Sequence, residues 1–141
     1  MTGSNLTKNV KVTLVKAEQS SGGGAINSDS VDMQGFEGVV FIGTMVTANA
    51  SNFASVAQSA DDSSFNDLAG TKVTPGDAGD QFMIDIYKPL DRYLRVDIDR
   101  GGANTVVGEI FALQYGARKV PVSHGSTIDS EVHVSPAEGT A

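Results

Sequence analysis

Apolar and polar positions alternate through most of the chain, and the period is two. Between residues 8 and 15, Val10, Val12 and Leu14 share one side, with Lys11 and Thr13 on the other. That pattern predicts a strand with one wet face. Residues 30–33 alternate briefly. The run "VVFIGTMVT" after Gly38 is apolar on both sides, which predicts a central strand covered by the core on one face and by a loop or neighbour on the other. A short strand fits residues 53–59. Phe82, Ile84 and Ile86 then alternate with Met83, Asp85 and Tyr87 until Pro89 breaks the pattern. Tyr93 to Asp99 alternates again and turns at Arg100-Gly101-Gly102. Residues 105–115 set Val107, Phe111, Leu113 and Tyr115 against Gly108, Ile110, Ala112 and Gln114. Both sides of that strand are largely apolar, so its facing stays open.

Turn signals separate these runs. The three glycines of "SSGGGA" predict a flexible turn. "DDSSFNDLAG" reads as a turn or a single helical turn, with Ser63 or Ser64 as cap, Gly70 as stop, and Phe65 and Leu68 on one buried side. "TPGDAGD" is a glycine-proline turn. Six to eight short strands without a long amphipathic helix predict an all-β, single-domain β-sandwich, with a closed barrel as the alternative. The domain spans 10–118, with an N-terminal arm at 1–9 and an extended C-terminal arm at 119–141. In that arm the periodicity fades into small polar residues, two prolines and scattered valines. Fully stretched, it reaches roughly 75 Å at ~3.3 Å per residue.

Composition narrows the function. The 141 residues suit one domain, which buries roughly 70% of its unfolded surface. There is no cysteine, so neither disulfides nor thiolate metal sites are available. The net charge is −7, and both halves are acidic: 3 basic against 7 acidic side chains in 1–70, 7 against 10 in 71–141. Neither half offers the basic footprint that nucleic acid requires. The longest apolar run, Val39 to Ile42, is far short of the ~20 residues that span a bilayer. The first sixteen residues lack the apolar stretch of a signal peptide, so a cytoplasmic start is expected. The sequons at Asn5 and Asn49 then carry no meaning.

Candidate chemistry is sparse. "DRYLRVDIDRGG" at 91–102 sets Asp91, Asp97 and Asp99 among Arg92, Arg95 and Arg100. On a strand, Asp97 and Asp99 share a face about 6.8 Å apart, within the ~6.5–9.5 Å of an inverting glycosidase pair. Any two acids at i and i+2 meet that spacing. A general acid needs a raised pKa, whereas three arginines hold carboxylates ionised. A sheet face laced with Arg–Asp pairs is the preferred reading. His124 and His133 lie nine apart in the arm, away from any ligand spacing. Ser126 follows "HG" without a nucleophile elbow. Asp61, Asp62 and Asp67 lack the order of a calcium loop and read as a solvated turn. "SGGG" has no Gly-Lys-Ser/Thr after it, so it is no phosphate cradle. No catalytic residue, cofactor or metal is expected.

All four arginines lie between 92 and 118, and Arg and Tyr are enriched at protein interfaces. Four stretches occur in order: "SDSVDMQGFEGVVFIGTM", "SADDSSFNDLAGT", "KPLDRYLRVDI" and "ALQYGARKVPV". On these, over residues 10–122, the chain resembles the capsid decoration, or cementing, proteins of tailed bacteriophages. The resemblance implies a jelly-roll-like sandwich on the capsid exterior of the virion, made in the bacterial host cytoplasm. It would bridge neighbouring copies of the major capsid protein, often as a homodimer or other homo-oligomer, against internal DNA pressure. It brings no enzyme activity, no direct nucleic-acid contact and no membrane. Contacts are expected from Arg92, Tyr93, Arg95, Arg100, Arg118 and Lys119, with Val120, Val122, Val132 and Val134 in the arm. The alternatives are a carbohydrate- or receptor-binding sandwich module, or another head or tail structural protein. A sugar platform would need exposed aromatics, and the chain has no Trp.

Overall fold

A computed structural model describes residues 5–47, 50–102 and 104–141. The sequon at Asn49 and residues 1–4 of the N-terminal arm lie outside the described residues. Among the described residues, eleven strands follow a short 3-10 turn at Leu6–Lys8: β1 Lys11–Lys16, β2 Gln19–Gly22, β3 Ile26–Asn27, β4 Val31–Asp32, β5 Gly38–Thr44, β6 Phe53–Ser59, β7 Asn66–Asp67, β8 Gln81–Tyr87, β9 Tyr93–Asp99, β10 Thr105–Val107 and β11 Ile110–Tyr115. They form two antiparallel sheets and a ribbon. The first sheet runs β1-β11-β5-β8. In the second, β9 lies between β6 and the interrupted pair β3 and β4, and β7 flanks β6. The ribbon pairs β2 with β10.

β3 and β4 act as one strand. Ser28 spans the gap, its N–H donating to Val96 O while its hydroxyl accepts the Val96 N–H. With that pair counted once and the ribbon set aside, the two sheets have the interleaved strand order of two Greek keys, a jelly roll. The inner faces meet in one core. Val15, Val39, Phe41, Phe82, Ile84, Ile110 and Ala112 come from the first sheet, and Ile26, Val31, Ala54, Val56, Leu94, Val96 and Ile98 from the second. The β9 alternation therefore reads as expected, with Leu94, Val96 and Ile98 inside.

Several local expectations change. The facing of β1 is reversed. Lys11 and Thr13 pair with Gln114 and Ala112, which are buried, whereas Val12 and Leu14 pair with Leu113 and Phe111 on the outside. A register shift between Leu14 and Lys16 then turns Val15 into the core. A bulge moves the pattern by one, which a period of two cannot reveal in advance. The 105–115 strand divides into β10 and β11 at Gly108, and Ile110, Ala112 and Gln114 point inward. No helical turn forms at 61–70. Asp61 Oδ1 accepts the N–H groups of Ser63 and Ser64, building a turn that leads into β7. Leu68 packs on the core, but Phe65 goes to the outer face.

The glycine triplet is a close approach rather than a free turn. A Cβ on Gly22 would stand 3.0 Å from the Arg100 guanidinium. The C-terminal segment forms no strand, yet it is not detached. Val122 N–H donates to Lys8 O and Gly125 N–H to Val12 O, and His124 Nδ1 accepts the Val12 N–H at 3.0 Å. It straps the open edge of β1.

Candidate functional site

The segment at 92–100 crosses the outer face of the second sheet, and its charges are satisfied within the molecule. Arg92 grips Asp32 with two parallel hydrogen bonds, Nε to Oδ1 at 2.9 Å and Nη2 to Oδ2 at 2.8 Å, and lies over the Tyr93 ring. Arg92 lowers the Asp32 pKa, chiefly by donating to it. Arg95 donates to Asp97 at 2.7 Å and stacks 4.1 Å from the Phe65 ring centroid. Burial pushes the Asp97 carboxyl up, and Arg95 opposes that shift. Asp99 accepts the Gly101 N–H, closing the turn. The Arg–Asp lacing expected from the spacing is present, along β9 and onto β4.

Arg100 is a clasp. Its guanidinium donates to Gly24 O at 2.6 Å, Ser20 O at 2.9 Å and Thr105 O at 3.0 Å, pinning the ribbon. Buried Asn52 adds to this, donating to Arg100 O and accepting from Thr105 Oγ1. Arg118 lies elsewhere, meeting Arg92 at an open cleft of about 700 Å³. Lys88, Pro89, Leu90 and Asp91 line one wall, and Met33, Gln34, Phe36 and Glu37 the other. Three backbone bonds hold its walls: Lys88 N–H to Glu37 O, Met33 N–H to Arg92 O and Arg118 N–H to Gly35 O. Leu90 stands almost fully exposed at its rim. Lys119 is exposed beside Arg118. Val120, Val132 and Val134 are exposed in the arm, and Val122 is half-buried in the strap. The candidate contacts are thus dispersed: Arg92 meets Tyr93 and shares a cleft with Arg118, while Arg95 lies two residues along the strand from Tyr93.

The outer face of the first sheet was missed as a site. Its β-ladders align three rungs: Leu14–Phe111–Ile42–Met83, Val12–Leu113–Val40–Asp85, and Tyr115–Gly38–Tyr87. All but one of these side chains are apolar or aromatic, or absent at Gly38. Met83 is 66% and Tyr87 59% exposed. A Cβ on Gly38 would collide with the Tyr115 ring, so the glycine lets that ring lie across the sheet. Tyr115 then donates to Asp85, the one charge on these rungs, at 2.5 Å. Burial and that carboxylate push the Tyr115 hydroxyl up to about 12. Four strands ~4.8 Å apart and three rungs ~6.8 Å apart make a face on the order of 400 Å², as large as the largest patch on an ordinary monomer. The signal in the sequence was the double-sided apolarity of β5 and β11.

No family model matches the sequence, and no curated protein does. A solved structure does. The likeness is to XepA, an exported protein of PBSX. Its crystal structure aligns with a TM-score of 0.56 over 94% of this chain, at 16% identity. The chain spans about half of XepA, covering 46% of its length. At that identity the likeness to XepA is one of fold, a β-sandwich built on the same frame. Among the described residues no three side chains of metal-ligating type gather. Asp61, Asp62 and Asp67 do not converge: Asp61 binds its own turn, Asp62 accepts from Ser30, and Asp67 sits in β7. His133 stands beside Glu131 in the exposed tail.

Proposed function

We propose that the protein is a structural virion protein that binds the outer surface of an icosahedral phage head and cements neighbouring major capsid proteins against internal DNA pressure. The observation that carries the reading is the apolar outer face of the first sheet, a surface that water does not favour and that a protein partner can cover. The frame shared with XepA of phage PBSX supports a virion role, as does the resemblance of the four ordered stretches to decoration proteins. The reading is of a scaffold rather than a catalyst, since the 92–100 carboxylates are spent on arginines and turns.

A stable interface needs ~800 Å² from each partner, and the apolar face supplies about half. Attachment then rests on more than one modest contact, with linked contacts gaining ~10²–10⁴ in avidity when geometry allows both at once. The jelly roll sets the spacing between them. The cleft at Arg92 and Arg118 is the second contact in this scheme, because backbone hydrogen bonds tie its walls, it bears cations and it carries exposed Leu90. The test is particle stoichiometry together with stability. Particles made without the chain should lose DNA at a lower temperature, and adding purified protein back should restore them at a copy number that tracks the shell lattice. A handful of copies per particle, or none on purified heads, overturns the reading.

A further inference from the structure

The two edges of the first sheet are finished differently. β1 wears the strap of residues 122–125. β8 pairs with β5 along its whole length on one side, and among the described residues no strand pairs with its other side. Nothing blunts that edge. It contains no proline and no lysine, its register with β5 is unbroken over seven pairs, and its single charge is engaged by Tyr115. Exposed edges of this kind are templates for another strand.

We propose that the outer edge of β8 receives residues 131–138 of a second copy as an added strand. The tail has the chemistry for it. Glu131 to Val134 alternates, no proline intervenes before Pro136, and Val132 and Val134 are 40% and 91% exposed. Residues at i and i+2 repeat at about 6.8 Å on one face, the spacing of Met83, Asp85 and Tyr87. A tail running parallel to β8, with Val132 beside Met83 and Val134 beside Asp85, extends the apolar rungs by one column. Pro136 then falls beside Tyr87, where an outermost strand tolerates it. Glu138 reaches the cleft that Lys88, Arg92 and Arg118 border. The tail is acidic: residues 120–141 carry Asp129, Glu131 and Glu138 and no lysine or arginine, while the cleft offers Lys88 and Arg118 beside Glu37 and Asp91, with Arg92 held by Asp32.

The donor is a second copy because the chain's own tail is held at the opposite edge. The strap fixes it to β1, and Asn5 Nδ2 donates to His133 O at 2.9 Å. Each copy thus offers a tail at one edge and a vacant edge at the other, a head-to-tail contact that closes a ring or extends a row. The inference goes beyond the capsid reading and stands without it.

The test is a titration of the isotope-labelled full chain with a synthetic peptide of residues 127–141, followed by amide NMR. Shifts and slowed exchange confined to β8 and the adjoining cleft are expected. A peptide carrying Val132→Lys and Val134→Lys should bind at least about tenfold more weakly, as should the wild-type peptide to a Met83→Lys chain whose spectrum remains folded. The proposal fails if about 1 mM peptide leaves the β8 amides unmoved, if the shifts fall on another surface, or if the lysine peptide binds as well as the parent. Particle stoichiometry is unaffected by any of these results, so the two readings fail separately.

Discussion

The two outer faces of the sandwich are built on the same alternation and reach opposite ends. On the second sheet, Tyr93, Arg95, Asp97 and Asp99 face outward and find partners at home: Asp97 for Arg95, the Gly101 N–H for Asp99, and the Phe65 ring under a guanidinium. On the first sheet, Val12, Leu14, Val40, Ile42, Phe111 and Leu113 face outward, half-buried beside exposed Met83 and Tyr87, and a second surface would complete their cover. A satisfied charged face gains little from a partner, because its ion pairs would have to be desolvated again. An apolar face gains from contact at once. Arginine content by itself does not choose between the two faces, because arginines that serve the fold look in sequence like arginines that serve an interface.

Exchanging the roles of the two faces is the way to break this comparison. The largest effect is expected from Val40→Lys with Leu113→Lys. This pair should weaken attachment to purified heads by about 2–4 kcal/mol, whereas Arg95→Ala should change it by less than about 1 kcal/mol. Co-sedimentation with heads measures both, and the opposite ranking would move the interface to the charged face. Stability should rank the other way. Arg95→Ala leaves Asp97 half-buried without its donor and should lower the unfolding free energy in urea by about 1–3 kcal/mol. Met83→Lys, on an exposed outer position, should stay within about 0.5 kcal/mol of the parent.

Acid titration sharpens the charged face alone. The folded-state pKa of Asp97 is raised, so the native state binds that proton more readily than the unfolded chain. Its contribution therefore grows as pH falls through the carboxylate range. Those of Asp32 and Asp61 are lowered, so their contributions are present above the unfolded value and fade as pH falls. Urea midpoints between neutral and acid pH should drop more steeply for Asp97→Asn than for the parent, and less steeply for Asp32→Asn. Alkaline titration sharpens the apolar face. Tyr115 should titrate near pH 12 by ultraviolet absorbance. With its folded pKa raised above the unfolded 10.0, its contribution is complete below pH 10 and lost as pH climbs through 12. Tyr115→Phe should remove the high transition and cost about 0.5–1.5 kcal/mol.

The strands of β5, β8, β9 and β11 were legible because alternation over six or seven residues is a long signal. Turn chemistry was legible at 74–80 and at Arg100-Gly101-Gly102, where φ is positive at both glycines. At 61–70 the sequence left a turn and a helical turn open, and the structure takes the turn, with Asp61 rather than Ser63 or Ser64 as the acceptor that closes it. Gly22 looked like mere flexibility, and Gly38 like a plain boundary before the central strand. Each instead makes room for one ring or guanidinium that arrives from far along the chain. Arg100 was legible as a charge and illegible as a clasp, since its acceptors Ser20 and Gly24 lie some eighty residues upstream.

What the amino-acid order determined alone was class: an acidic, helix-poor chain of short strands must bury apolar positions between sheets, because local period and hydrophobicity suffice for that. Which face of each strand points inward was decided by pairing. The register shift in β1 and the neighbours of β11 lie outside any local window. The same holds for the choice of covered face and open edge. These depend on which strands become neighbours and where residues 122–125 settle, and such contacts join residues more than a hundred positions apart.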